Sequence, residues 1–371
     1  MSGADASDFR FMARALVLAA EGLYSTDPNP RVGCVIVRDG KIVGEGFHAR
    51  AGEAHAEALA LAAAGAAAKG ATAYVTLEPC NHTGRTPPCS EALIAAGIAR
   101  VVYAGADPNT AVAGGGARRL AAAGIATTSG CLEREARALN PGFYSRFERG
   151  RPWVRVKLAA SLDGRTALAN GKSQWLSCDA ARADVQRLRA RSSAVLTGAA
   201  TARRDDARLS VRDSSLELRG RVPLRVVLDP RLTLEPGARL FAEPGPVLVV
   251  TAAAASPASA ALAARGAELL VLPEEGVRDL KGVLAELARR GTNEVLVEAG
   301  ARLAGAFIQA GLVDEFILYV APNLLGHDAQ PLATLPMLDD LGDRWEFEFA
   351  DVRRVGADLR LGLVPKRREA G

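Results

Sequence analysis

The stretch from residue 52 to residue 90 decides how the first part of this chain folds. It opens with Gly52-Glu53-Ala54-His55-Ala56-Glu57, passes through a strand-like run, and ends with Glu78-Pro79-Cys80-Asn81-His82-Thr83-Gly84-Arg85-Thr86-Pro87-Pro88-Cys89. The imidazole of His55 and the thiolates of Cys80 and Cys89 can occupy three corners of a tetrahedral zinc site. In catalytic zinc sites the fourth corner stays open and holds a water whose pKa falls to about 7. The spacing therefore predicts a catalytic zinc centre.

Glu57 provides the acid–base group that such a centre needs. It stands two residues after His55, about 200° further round a regular helix, so both can serve one site only where a helix begins. The uncharged run 58–68 is helical by composition, which places both residues at its opening. Glu57 then binds no metal and carries a proton from the zinc-bound water to a leaving amine. Histidine-x-glutamate followed by proline-cysteine is the signature of zinc nucleobase deaminases.

Two other interpretations of these residues exist, a structural zinc knuckle and a set of unrelated core residues. A structural zinc site usually has four protein ligands, and the spare candidates nearby are His48 and His82. Ligand type, ligand order and the flanking Pro79 all favour the catalytic interpretation instead.

The composition indicates a globular protein of two domains. At 371 residues the chain is too long for one ordinary domain, and 49% hydrophobic with 24% charged residues allows an ample core. The net charge is only +4, the charges are interspersed, and aromatic residues make up 5% of the chain. These values argue against a nucleic-acid-binding surface.

Cysteine usage and the first residues of the chain predict a cytoplasmic protein. The five cysteines form no disulfide framework, which suits a reducing compartment. Residues 1–10 lack the basic segment of a signal peptide. Residues 247–264 are uncharged, but their alanines, hydroxyl residues and Pro257 favour a strand and a helix over a membrane span.

Strands alternate with helices along residues 1–150, which predicts an α/β layered domain. We expect helices near residues 9–24, 58–68, 91–96 and 118–123, and strands near 34–37, 42–47, 73–77 and 101–104. The helix near 118–123 is expected to finish the domain. A domain boundary is expected after Asn140-Pro141-Gly142-Phe143-Tyr144, near Gly150-Arg151-Pro152.

Residues 151–371 are expected to form a second α/β domain. We expect strands near 153–158, 194–197, 224–228, 247–250, 294–298 and 315–321, helices near 180–191 and 303–310, and an antiparallel tail at 345–363. Neither a P-loop nor a G-x-G-x-x-G after a strand is present. The turn Glu298-Ala299-Gly300 before a helix leaves free amides that suit a phosphate, and an ordinary loop explains it equally well.

Taken in series, the motifs resemble the bifunctional deaminase–reductase family of riboflavin biosynthesis over residues 9–365. In the first domain the resemblance rests on Asn29-Pro30-Arg31-Val32-Gly33, on the zinc motif, and on the eight residues between Cys80 and Cys89. Editing deaminases have only two residues between these cysteines. In the second domain it rests on Lys157-Leu158-Ala159-Ala160-Ser161-Leu162-Asp163-Gly164, Ser173-Gln174-Trp175, Arg189, Thr197-Gly198, Thr201, Asp205-Asp206 and Glu298-Ala299-Gly300.

The resemblance implies a cytidine-deaminase-like α/β/α domain at residues 1–150 and a dihydrofolate-reductase-like α/β domain at residues 151–371. It also implies two consecutive reactions on a phosphoribosylated pyrimidine. Zinc-dependent hydrolysis removes a ring amine, and NADPH then reduces the ribose to a ribityl chain. The expected protein is a cytoplasmic homo-oligomer that binds neither nucleic acid nor membrane.

The family pattern also implies roles for individual residues of this chain. The expected substrate-binding residues are Asn29, His48, Asn81, Arg85, Lys157, Ser173, Arg189, Leu209, Arg212 and Glu298. The expected NADPH contacts are Ala159, Trp175, Thr201, Asp205, Gly300, Ala301, Arg302, Leu303, Ala304, Gly305 and Ala306. Among these, Arg189 and Arg212 can each fork onto a phosphate.

Two rival functions make different demands on the sequence. A nucleoside or transfer-RNA deaminase with an appended domain would have a basic, aromatic-bearing surface and a short cysteine gap. A non-catalytic zinc-bearing interaction protein would need neither Glu57 nor the second-domain motifs. The sequence favours the bifunctional enzyme.

Overall fold

The structure, a computed structural model, describes residues 4–82, 87–110 and 113–366. Within these residues the chain forms two compact units that divide between Gly150 and Arg151. The short segment Glu217–Arg221 groups with the first unit. Each unit contains its own large sheet.

The first unit is a mixed five-stranded sheet with helices on both faces. Its strands run in the order β2-β1-β3-β4-β5, with β1 antiparallel to both neighbours and β3, β4 and β5 parallel. The strands are Gly33–Arg38 (β1), Lys41–Phe47 (β2), Thr72–Leu77 (β3), Arg100–Gly105 (β4) and Ala126–Ser129 (β5). The helices are Ala6–Glu21 (α1), Ala56–Ala64 (α2), Cys89–Ala95 (α3), Gly115–Ala122 (α4), Glu133–Leu139 (α5) and Pro141–Arg149 (α6).

Strand β1 is buried on both faces and separates two cores. Because successive side chains of a strand point to opposite faces, Cys34 and Ile36 join the core formed with α2, α3 and α4. Val35 and Val37 join the opposite core, formed with α1 and α5. The unit is therefore an α/β/α sandwich, which confirms the expected fold of the first domain.

Two glycines of β2 allow α2 to lie directly on the sheet. A Cβ atom on Gly44 would lie 2.2 Å from the Ala60 carbonyl oxygen, and one on Gly46 would lie 2.6 Å from that of Ala56. Only glycine permits so close an approach of two backbones. This contact fixes the start of α2, where His55 and Glu57 lie.

The first unit continues beyond its expected end, since β5, α5 and α6 follow α4. Pro141 occupies the first position of α6, which proline favours, so the residues directly before the expected boundary are helical. The Asn140 side chain is buried and exchanges two hydrogen bonds with the backbone of Arg31, at 2.8 and 2.9 Å. The short polar strand β5 has no apolar periodicity that the sequence could reveal.

The second unit is built on a nine-stranded sheet. The strands of this sheet are Trp153–Ser161 (β6), Ala194–Gly198 (β8), Leu224–Leu228 (β9), Val247–Thr251 (β10), Ala267–Val271 (β11), Glu294–Glu298 (β12), Glu315–Ala321 (β13), Phe347–Val355 (β15) and Asp358–Pro365 (β16). Arg165–Ala167 (β7) and Gln330–Pro331 (β14) pair in a separate two-stranded sheet. Its helices are Asp179–Arg191 (α7), Ala199–Arg204 (α8), Pro257–Ala264 (α9), Glu274–Arg278 (α10), Leu280–Arg289 (α11) and Ala301–Gln309 (α12).

Strand order and direction bring distant residues to one edge of this sheet. The order is β11-β10-β9-β8-β12-β6-β13-β16-β15; the first seven strands are parallel, and the C-terminal hairpin β15–β16 is antiparallel. The carboxyl ends of parallel strands are where α/β sheets bind ligands. Glu298 lies there as the last residue of β12, and Lys157, in the middle of β6, pairs with it.

The uncharged segment 247–264 consists of β10 and α9, as expected. Among the described residues, no helix combines the length and the apolar character needed to cross a membrane.

Candidate active sites

Three side chains that are distant in sequence converge in the first unit. His55 is the N-cap of α2, Cys80 lies in the loop after β3, and Cys89 is the first residue of α3. The three potential ligand atoms all lie within 4.8 Å of one another. Two helix starts and one strand end thus present the predicted ligand set at one point.

The spacing of these atoms fits a tetrahedral metal ion. His55 Nδ1 lies 3.6 Å from Cys80 Sγ and 3.2 Å from Cys89 Sγ. A tetrahedral zinc ion with ordinary bond lengths holds a nitrogen and a sulfur ligand about 3.6 Å apart. The Cys89 backbone N–H also donates to Cys80 Sγ at 3.4 Å, which favours a thiolate at Cys80. Hydrogen bonds from Cys89 and His55 lower the pKa of the Cys80 thiol well below its usual value.

Glu57 lies in the first turn of α2, next to the ligand cluster, and is 4% exposed. Burial, together with the negative charge of the Cys80 thiolate, raises the pKa of Glu57 to about 6. A carboxyl group with a pKa near neutrality can both accept and donate a proton at pH 7.

The expected substrate-binding residues of the first unit surround this cluster. His48 packs edge-on against His55, with ring centroids 5.3 Å apart, and its Nε2 lies 3.0 Å from Asn29 Nδ2. Asn81 follows Cys80 and accepts a hydrogen bond from Ser90 Oγ at 2.7 Å. Arg85 lies outside the described residues, so its substrate role stays a prediction.

Glu78 is a supporting residue that the sequence interpretation missed. Its carboxylate is 5% exposed and accepts the backbone N–H of Gly114 at 3.0 Å and of Ala117 at 3.1 Å. It therefore caps α4, whose own N-cap, Gly114, has no side chain to do so. A carboxylate at a helix start also complements the helix dipole. The position of this glutamate, directly before the Pro79-Cys80 ligand segment, could have indicated its supporting role.

Glu78→Gln should lower the free energy of unfolding of the first unit by about 1–3 kcal/mol, because a buried N–H loses its charged acceptor. The change in the free energy of unfolding is measured by chemical denaturation, with tryptic cleavage of the first unit reporting the unfolded fraction. Glu21→Gln, an exposed glutamate at the end of α1, is the matched control. Equal stability of the two variants would show that the Glu78 cap contributes nothing.

A cavity of about 580 Å³ opens at the carboxyl edge of the second sheet. Its size lies in the range of small-molecule sites. Eleven of the residues expected to bind substrate or NADPH line it: Lys157, Ala159, Ser173, Trp175, Arg189, Thr201, Asp205, Leu209, Arg212, Glu298 and Gly300. The expected residues Ala301, Arg302, Leu303, Ala304, Gly305 and Ala306 do not line it.

The buried floor of the cavity contains an ion pair. Arg189 Nε and Nη2 donate to the two carboxylate oxygens of Glu298 at 2.6 and 2.9 Å, and Arg189 Nη1 donates to the Ser210 carbonyl at 2.9 Å. The idea that Arg189 forks onto a phosphate is therefore wrong for this geometry, because Glu298 already accepts from that edge of the guanidinium. Arg212 is exposed and lines the cavity, and its Nη1 makes two contacts with Ser210 at 3.5 Å, which are long for hydrogen bonds.

Lys157 lies beside this ion pair. Burial lowers the pKa of Lys157, while the nearby Glu298 carboxylate opposes the shift. Its ammonium group also lies 5.7 Å from the centre of the Tyr319 ring. Lys157 thus lies in the middle of β6, opposite the last residue of β12, and lines the cavity.

The start of α12 borders the cavity from another side. The Gly300 N–H donates to Thr201 Oγ1 at 3.2 Å, which joins this turn to α8. Ala304 is fully buried, and a Cβ on Gly305 would lie 2.0 Å from the Thr334 carbonyl oxygen. These two residues pack inside the unit, so any contact of theirs with NADPH stays a prediction.

The fold and the two candidate sites together define a class of two-domain proteins. The first unit is a deaminase-type α/β/α domain with a histidine–cysteine–cysteine cluster and a neighbouring glutamate. The second is an α/β domain with a ligand-sized cavity at the carboxyl edge of its parallel strands. Residues 5–105 match the family described as cytidine and deoxycytidylate deaminase zinc-binding region, and residues 152–361 match the RibD C-terminal domain.

The chain belongs to the RibD family, the bifunctional deaminase/reductase enzymes of riboflavin biosynthesis. It is 50% identical to the riboflavin biosynthesis protein RibD of Escherichia coli over 367 residues, which cover 96% of this chain and 99% of the relative. It is 46% identical to the Haemophilus influenzae protein of that name, with 97% and 98% covered. The predicted family, fold and bifunctional activity are confirmed.

Solved structures agree over the same length. The structure of Acinetobacter baumannii RibD superposes with a TM-score of 0.90 at 45% identity, covering 97% of this chain and 99% of that one. A Thermotoga maritima deaminase/reductase superposes with a TM-score of 0.84 at 33% identity and the same coverage. The rival deaminase with an unrelated appended domain is thereby excluded.

Proposed function

We propose that this enzyme deaminates 2,5-diamino-6-(5-phosphoribosylamino)pyrimidin-4-one and then reduces 5-amino-6-(5-phosphoribosylamino)uracil with NADPH. The Thermotoga maritima relative is described as a diaminohydroxyphosphoribosylaminopyrimidine deaminase and 5-amino-6-(5-phosphoribosylamino)uracil reductase. The observation that carries the proposal is the close approach of His55, Cys80 and Cys89 beside Glu57, in a chain that also contains the second-unit cavity.

In the first reaction the three-ligand cluster would hold zinc, and bound zinc makes water acidic enough to react near neutral pH. Glu57 would accept a proton from the attacking water and deliver it to the amine, which leaves as ammonia. Its carboxyl pKa of about 6 suits both transfers. Asn29 and Asn81 would bind the pyrimidine and its ribose through their amide groups, and Arg85 would bind the phosphate.

In the second reaction NADPH would supply the hydride. Trp175, Thr201, Asp205 and the turn at Gly300 would bind the cofactor at one side of the cavity. Lys157 and Glu298, paired neighbours on β6 and β12, would bind the substrate where β12 ends. Arg212 would bind the substrate phosphate, since the fork of Arg189 is directed to Glu298.

A coupled assay on the full chain tests the proposal. Ammonia release from the diaminopyrimidine is measured first without NADPH, and NADPH oxidation is then measured on the deaminated product. We expect both activities in one chain and no reduction before deamination. Ammonia release without any NADPH oxidation would overturn the second half, and the reverse result would overturn the first.

Asp205→Ala should raise the KM for NADPH about 10- to 100-fold, because a hydrogen bond to a charged group contributes about 1.5–3 kcal/mol. Ammonia release should stay at the parent rate, since Asp205 lies in the second unit. Asp339→Ala, which removes an exposed aspartate of the same unit, is the control. An unchanged KM for NADPH would remove Asp205 from the cofactor site.

We also propose a cytoplasmic homo-oligomer. All five cysteines are free thiols, which supports a reducing compartment. Sedimentation of the purified chain measures the oligomeric state, and a single species of 38.7 kDa would contradict the proposal.

A further inference from the structure

A short relay of hydrogen bonds runs beside the zinc ligands of the first unit. The Ala54 carbonyl lies 3.0 Å from His48 Nδ1, and His48 Nε2 lies 3.0 Å from Asn29 Nδ2. The His48 backbone N–H also donates to the Val32 carbonyl at 2.9 Å. His48 is 3% exposed, so its ring is held at the backbone and at both nitrogens.

The partners of the ring determine which nitrogen carries hydrogen. A carbonyl oxygen only accepts hydrogen bonds, so the contact with Ala54 requires a hydrogen on His48 Nδ1. In a neutral imidazole the other nitrogen then has a lone pair, and it accepts one N–H of Asn29. Both ring nitrogens are therefore engaged. No polar atom of His48 is left for the substrate contact expected from the sequence.

The same contact determines the orientation of the Asn29 amide. Because Nδ2 faces His48, the amide oxygen Oδ1 is directed away from it. Asn29 is half-buried and lies between Pro28 and Pro30, whose rings restrict the neighbouring backbone. Among the described residues, no hydrogen bond to Asn29 Oδ1 is formed within the chain. The oxygen is thus available as an acceptor beside the catalytic centre.

We propose that His48 is a positioning residue, which acts by holding the Asn29 amide so that its oxygen faces the substrate. The substrate group recognised there is a hydrogen-bond donor, an amino group or a ribose hydroxyl. This inference rests on the proposed deaminase function. It replaces the expected direct contact of His48 with a contact through Asn29.

A double-mutant cycle separates the two roles of His48. The variants are Asn29→Ala, His48→Phe and the double variant, each in the full zinc-loaded chain, with KM and kcat for ammonia release measured. Phenylalanine keeps a ring against His55 and removes both nitrogens. We expect each single variant to raise KM about 3- to 10-fold. The double variant should match Asn29→Ala alone, because His48 has no effect once the amide is gone.

A conservative variant provides a rescue. Glutamine offers an N–H donor and an oxygen acceptor, as His48 does with Nδ1 and Nε2. His48→Gln should therefore recover much of the KM lost in His48→Phe, but only when Asn29 is present. Far-ultraviolet circular dichroism and the zinc content report on the folding of the first unit in each variant, and NADPH-dependent reduction of the deaminated substrate reports on the second unit, where that cavity lies.

Two results of the cycle would overturn the inference. Effects on KM that multiply in the double variant would show that His48 contacts the substrate itself. Loss of zinc from His48→Phe, with zinc retained in Asn29→Ala, would show that His48 acts through its contact with His55.

A spectroscopic measurement tests the relay whatever the outcome of the assay. The chain has four histidines, so comparison with His48→Gln assigns the His48 signals in an imidazole ¹⁵N spectrum. We expect the neutral form with hydrogen on Nδ1, and a shift of the Nε2 signal in Asn29→Ala. Hydrogen on Nε2 would overturn the inference. A parent chain with the expected spectrum but no ammonia release would refute the proposed function and leave the relay supported.

Discussion

Glu57→Gln should release ammonia about 10²- to 10⁴-fold more slowly than the parent chain while retaining its zinc. The substitution keeps the size of the side chain and removes the group that accepts a proton. The three candidate ligands, His55, Cys80 and Cys89, are unchanged, so the metal has no reason to leave. Steady-state ammonia release, together with metal analysis of the same sample, measures both quantities.

Two controls define this result. Glu21→Gln changes an exposed glutamate of the same unit and should leave ammonia release at the parent level. Glu57→Gln itself should reduce the deaminated substrate with NADPH at close to the parent rate, because the described residues that line the second-unit cavity all belong to the second unit. Near-normal ammonia release would mean that another group moves the proton. Loss of both activities in a folded variant would refute the separate sites.

Cys89→Ser should lose zinc affinity by more than the 10- to 100-fold that is typical when an outer partner of a metal ligand is removed. A serine hydroxyl stays protonated at neutral pH, so the anionic ligand is lost along with the soft sulfur atom. Ammonia release should fall with the zinc. Competition with a chromogenic chelator measures the affinity, and added zinc should restore part of the activity.

Cys131→Ser is the matched control for this variant. Cys131 is a free thiol of the first unit that lies in the core with α1 and α5, away from the cluster. It should retain zinc even if the loss of sulfur packing lowers stability. Full zinc retention by Cys89→Ser would remove that residue from the ligand set and with it the three-ligand centre.

The Glu298–Arg189 ion pair makes Arg189 a poor position at which to test phosphate binding by the second unit. Removing either partner of a buried ion pair leaves an uncompensated charge, which typically costs about 3–5 kcal/mol. Variants of Arg189 would therefore lose stability and binding together. Arg212 is the informative position, because it is exposed and its removal would weaken binding without this loss of stability.

The sequence by itself determined the candidate ligand set of the first unit and the order of most helices and strands. His55 and Glu57 are neighbours whose placement depends on one local event, the start of α2. Cys80 and Cys89 follow a buried strand and begin a helix, positions that strand and helix patterns predict. In the second unit, Glu298 at the end of β12 lies beside Lys157 of β6, because the two strands are parallel neighbours.

Only the tertiary structure decided which polar groups pair. Arg189 and Glu298 are 109 residues apart, and their bidentate contact assigns the guanidinium to a carboxylate instead of a phosphate. Glu78 caps a helix whose third residue is 39 positions further along the chain. Asn29 and His48 are 19 residues apart, and the Asn29 Nδ2 amide group bonds to His48 Nε2. Hydrogen bonds act over about 3 Å, and sequence periodicity carries no information on distances of that order between separate elements.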